Sequence, residues 1–156
     1  IQIGQMDPNL ATMILLVFGI SGVTASVIFN RLYRLGAAQF IIHAILLLAL
    51  SLGFMLTSAG YTATMFALAF IWGIGISCIG LALQMRVLQL APDATDVATA
   101  IFSGIFNAGI GAGALFGNQI MRHVGLEYIG FSGAALAIIA LGIFVFFNLR
   151  YRNQNA

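Results

Sequence analysis

Lysine is absent from this sequence, and charge of either sign is scarce: only 6% of the residues are Asp, Glu, Lys or Arg. A water-soluble domain carries about 25% charged residues, so a soluble globule of this composition would expose large adhesive patches. Cysteine occurs once, at Cys78, which excludes an intrachain disulfide and a cysteine-based metal site. The net charge of +2 comes from six scattered Arg separated by long apolar runs, which is not the basic patch that nucleic acid requires. No Ser-His-Asp set, no metal-ligand cluster and no Gly loop joined to a Lys is present, so neither catalysis, a metal nor a cofactor is expected.

What remains is apolar: 62% of the residues are hydrophobic and the mean hydropathy is +1.07. The few charges act as punctuation. Uncharged windows run over Pro8–Asn30 (23 residues), Leu35–Met85 (51), Val97–Met121 (25) and Tyr128–Leu149 (22). A membrane-crossing helix needs about 20 apolar residues, so the long window holds two spans and the others one each. The long window breaks naturally at Thr57-Ser58-Ala59-Gly60. An all-α integral membrane protein is therefore expected, with five spans near residues 8–30, 37–57, 62–88, 95–121 and 127–149. The runs lack the alternation of membrane β-strands. Asp7-Pro8 and Pro92-Asp93-Ala94-Thr95-Asp96 read as helix starts, with Asp93 as a cap and Asp96 in the first turn.

With five spans, Arg31, Arg34, Arg86, Arg150 and Arg152 fall on one side and Arg122 on the other. The positive-inside rule makes the first side cytoplasmic, so the chain starts outside and ends inside. Tyr33, Tyr61, Tyr128 and Tyr151 fall at span ends, where amphipathic rings suit the interface. The opening residue is Ile1, and an outside start with no preceding span suggests an excerpt of a longer polytopic chain.

The fourth expected helix carries two stripes of small residues at four-residue spacing, Ala100-Gly104-Ala108-Ala112 and Gly109-Gly113-Gly117. Such spacing lets helix backbones approach closely, so this helix is expected between two neighbours; the same glycines could also let it bend. Asn107 lies mid-span beside Phe106 and near Phe102, and its amide must find a partner on another helix or on a ligand. Trp72, the lone tryptophan, sits deep in the third span, as core packing or as an aromatic platform with an N–H donor. Ser77 and Cys78 read as small packing residues or as lining the same path as Trp72, and His43, near the inner end of its span, as a water-contacting or hydrogen-bonded structural residue or as a proton relay. None of the four carboxylates lies within a span.

The run from Phe70-Ile-Trp-Gly-Ile through Leu88-Gln-Leu-Ala-Pro-Asp-Ala-Thr-Asp-Val97, continued by Ser103-Gly-Ile-Phe-Asn-Ala-Gly-Ile-Gly-Ala-Gly-Ala-Leu-Phe-Gly-Asn-Gln119, closely resembles bacterial sugar efflux transporters. These belong to the drug/proton antiporter branch of the major facilitator superfamily. The resemblance implies that residues 1–156 are a partial C-terminal bundle, helices eight to twelve of twelve, with the N-terminal half and helix seven absent. Arg31 and Arg34 match the superfamily's cytoplasmic loop motif, while Ser26, Asn30 and Tyr33 depart from it. The resemblance further implies export of sugars such as arabinose by proton antiport and alternating access. The partners it implies are a sugar-like substrate, membrane lipid and the missing half, at the bacterial inner membrane. The first, third and fourth helices would then face or flank the cavity. That makes Trp72, Asn107, Phe106 and Phe102 the candidate substrate contacts, and Gly104, Gly109, Gly113 and Gly117 the packing residues. Alternative readings are export of drugs or other small molecules, and a membrane scaffold subunit that transports nothing. A channel is disfavoured by the lack of a filter segment.

Overall fold

The computed structural model describes the backbone of residues 8–55 and 62–154, and the side chains of residues 12–55 and 63–151. Those residues form helices with no strand among them: α1 (Pro8–Leu32), α2 (Ala37–Gly53), α3 (Thr62–Leu90), α4 (Thr95–His123) and α5 (Tyr128–Gln154). A helix satisfies its own backbone hydrogen bonds, which is what hydrocarbon demands of a spanning segment. Helices α2, α4 and α5, whose preceding residues are described, start at Ala37, Thr95 and Tyr128, against expected starts at 37, 95 and 127. Four of the helices are long and apolar enough to cross a membrane.

The exception is α2. Its 17 residues correspond to about 26 Å of rise, short of the roughly 30 Å hydrocarbon core. The α-helix closes at Gly53, and Met55 N–H then bonds Leu52 O in a tighter turn at 3.2 Å. The expected break at Thr57–Gly60, with Tyr61, lies outside the described residues, as do Asp7 and the side chain of Arg152.

One further expectation is corrected. Asp93 does not cap α4: Pro92–Ala94 form a 3-10 turn, and α4 starts at Thr95 from Ala94 without a side-chain cap. Pro92 opens that turn and uses up the residues that a direct cap would need; Asp96 does occupy the first turn of α4. Tyr33, at the end of α1, packs its ring inward. The 3-10 turn Tyr33–Leu35 folds its ring back onto Phe29 at 4.6 Å and Phe40 at 5.8 Å, and its hydroxyl is buried with no hydrogen-bond partner among the described residues. Tyr128 and Tyr151 are exposed near the ends of α5, as an anchoring role requires. The α4–α5 turn depends on Gly125, whose φ of 132° is accessible to glycine alone at little cost. Its N–H bonds Ile120 O at 3.0 Å and so satisfies a terminal carbonyl of α4.

Packing centres on α3, which meets α1 and α2 extensively; α2 also meets α5, and α4 touches α3 and α5 only lightly. Close approach comes from small residues, as expected where lipid supplies no hydrophobic drive between helices. On α1, Ser21 and Ala25 are fully buried, and they face Gly73, Cys78 and Ala82 of α3. The Cys78 thiol points at the Ala25 carbonyl at 3.8 Å, and a Cβ on Gly22 would lie 3.8 Å from Ser77 Oγ. On the other face of α3, a Cβ on Gly75 would stand 3.2 Å from the backbone N of Leu48 in α2. Gly130 of α5 similarly admits the Leu52 carbonyl, 2.6 Å from where a Cβ would be.

Candidate functional site

The candidate residues divide between two places. Trp72 on α3 is half-buried and its ring meets Phe18 of α1, with centroids 5.1 Å apart and planes tilted by 47°. That contact belongs to the α1–α3 seam, one residue from Gly73. Trp72→Ala should therefore lower stability by about 2 kcal/mol, below the ~3–5 typical of a fully buried aromatic. Thermal unfolding of the detergent-solubilised protein measures this, and an unchanged midpoint would remove Trp72 from the packing account.

The other residues lie on α4. Phe102 and Phe106, one turn apart, stack with centroids 5.7 Å apart. Phe106 reaches α3, its ring tip lying 3.8 Å from the position of a Cβ on Gly80. Gly80 is eight residues beyond Trp72, or about 12 Å along α3, so the tryptophan and the phenylalanine pair occupy different depths. Asn107 follows Phe106 and is exposed, and its Nδ2 donates to the Ser103 carbonyl one turn back at 2.8 Å. That bond satisfies one amide proton locally and uses no other helix.

Around these side chains α4 is bare. No described residue in it is buried, and Ile105 and Leu115 are 70% and 72% exposed. A Cβ added at Gly104, Gly109, Gly113 or Gly117 would find nothing within 4 Å. The stripes read in the sequence as packing surfaces thus meet no partner within the described chain. Among the described residues, the glycines in tight contact with another helix are Gly73, Gly75, Gly130 and Gly133, which the sequence reading passed over. For Gly73 a signal was present as the four-residue spacings Ala69/Gly73 on α3 and Ser21/Ala25 on α1, less conspicuous than the glycine-rich run of α4.

His43 behaves as expected: its Nδ1 lies 2.7 Å from the Gln39 carbonyl. A carbonyl can only accept, so Nδ1 carries the proton. Arg31 closes the last turn of α1, where a cation suits the helix dipole, and Arg34 sits in the 3-10 turn; both are exposed.

Four membrane-length helices, a shorter apolar fifth and a core assembled from small residues define an all-α, multi-pass membrane protein. Known proteins narrow this further. Over 153 residues, 98% of the chain, the sequence is 61% identical to a "Probable sugar efflux transporter" of Haemophilus influenzae. Proteins of the same name from Mannheimia succiniciproducens and Helicobacter pylori are 52% and 47% identical over 97% of the chain. The chain spans 38–39% of the length of these relatives. No family model matches it.

Proposed function

We propose that this chain is part of a secondary transporter that exports sugars or related small molecules from the bacterial cytoplasm. The observation that carries the reading is the 61% identity, sustained over 98% of the chain, to a protein named as a sugar efflux transporter. The bare face of α4 supports it, because an amide exposed at mid-span is costly against lipid and better placed against a hydrated cavity. In this reading Asn107 hydrogen-bonds substrate hydroxyls, while Phe102 and Phe106 form an apolar wall for a sugar ring. The Gly104, Gly109, Gly113 and Gly117 faces take helices from the rest of the transporter, helix seven or the N-terminal half of a major facilitator architecture.

Coupling is to proton influx, with alternating access between the two halves. The carboxylates of the described residues lie at helix ends or connections, Asp93 between α3 and α4, Asp96 in the first turn of α4 and Glu127 between α4 and α5. In this reading the group that exchanges the proton belongs to the remainder of the protein. The end bearing Arg31, Arg34, Arg86 and Arg150 faces the cytoplasm of an inner membrane. In proteoliposomes, the full-length protein should move arabinose or another sugar from a broad panel when a pH gradient is imposed. Absence of proton-dependent flux for every sugar and drug in the panel would overturn the reading.

A further inference from the structure

Helices α1 and α2 both lean on α3 more than on each other, and a groove of about 440 Å³ opens between them. Ile28 and Leu32 form one wall, Phe40, Ala44, Leu47 and Leu50 the other, and Ile74 and Cys78 the floor. His43 is the one polar side chain in the lining, and its Nδ1 is already engaged by Gln39. The groove follows α2 from Phe40 to Leu50, ten residues or about 15 Å, which is the depth of one leaflet of a roughly 30 Å hydrocarbon core. Water gains nothing in so apolar a crevice, and an empty one forfeits dispersion contacts along its length.

The mouth of the groove is charged. Arg31 is exposed in the last turn of α1, one residue before Leu32 of the groove wall. Arg34 follows in the 3-10 turn, also exposed. The same end of the bundle carries Arg86 and Arg150 against Asp93 and Asp96, leaving it net positive. A basic pair at the interface above an apolar slot of leaflet depth matches a molecule with an anionic head and an acyl tail. The geometry points to a structural site for an anionic phospholipid, with its phosphate on Arg31 and Arg34 and one acyl chain lying in the α1–α2 groove.

The site is independent of what the protein carries, so its test requires no transport. The full-length protein, delipidated in mild detergent, is titrated with phosphatidylglycerol or with phosphatidylcholine of identical acyl chains, and retained lipid is counted by native mass spectrometry. Phosphatidylglycerol should be retained at least fivefold more than phosphatidylcholine. Arg31→Gln with Arg34→Gln should erase that preference, and Leu47→Trp, which fills the groove, should lower retention of phosphatidylglycerol with both arginines present. Arg122→Gln, at the opposite end of the bundle, should change nothing. Equal retention of the two lipids by the unmodified protein, as a nonspecific lipid shell would give, overturns the proposal. So does a paired Gln variant that keeps the preference.

Discussion

Gly73→Leu should reduce the yield of folded protein at least tenfold, the largest effect of any single replacement in the α1–α3 seam. A Cβ at this position would run into Ser21 Oγ and come within 2.9 Å of Ser21 Cβ and 3.1 Å of a Phe18 ring carbon. Ser21 cannot swing aside freely: it is fully buried, and its hydroxyl donates to the Phe18 carbonyl at 2.6 Å. Even Gly73→Ala sets an overpacking cost of about 1–3 kcal/mol against a helix-propensity gain of only about 1 kcal/mol. Because the obstacle is the Ser21 side chain, Ser21→Gly should partly rescue Gly73→Ala, with a favourable coupling of about 1–2 kcal/mol in a double-mutant cycle. Size-exclusion profiles and thermal midpoints in detergent provide both readouts. Normal yield for Gly73→Leu would show that the two helices do not approach so closely.

Asn107→Ala is expected to do the opposite, cutting efflux by about tenfold while leaving membrane abundance unchanged. The fold loses little, since the amide is exposed and its one observed bond runs to the Ser103 carbonyl on its own helix. Such a bond contributes about 1 kcal/mol net, and alanine's better helix propensity offsets part of that. On the proposed function, efflux would lose a hydrogen bond to a substrate hydroxyl, and tenfold corresponds to about 1.4 kcal/mol. Quantitative immunoblots of membranes beside transport rates separate the two effects. A parallel fall in abundance would assign Asn107 to packing with the rest of the protein.

The contrast between Gly73 and the α4 glycines shows how far small-residue spacing can be read without coordinates. Gly109, Gly113 and Gly117 form the cleaner pattern, yet their faces are open within the described chain, whereas Gly73 and Gly75, two residues apart, sit on opposite seams of α3. Spacing reports that a helix can be approached closely. It does not report which face has a neighbour, because that depends on where the other helices stand. Trp72 teaches the same point: its depth was legible, but its contact with Phe18 was not.

By itself the sequence determined that this is a helical membrane protein and which polar and aromatic side chains fall inside its apolar runs. The reason is that hydrocarbon imposes one rule on every spanning segment, internal hydrogen bonding over a fixed length of apolar residues, and that rule acts locally along the chain. Tertiary structure decided the rest. It shortened α2 at Gly53, turned Tyr33 inward, chose the glycines of α3 and α5 for close contact and gave the α4 glycines no neighbour within the described chain. Each of these depends on contacts between residues far apart in sequence, whose strength lies in shape and proximity that no local pattern encodes.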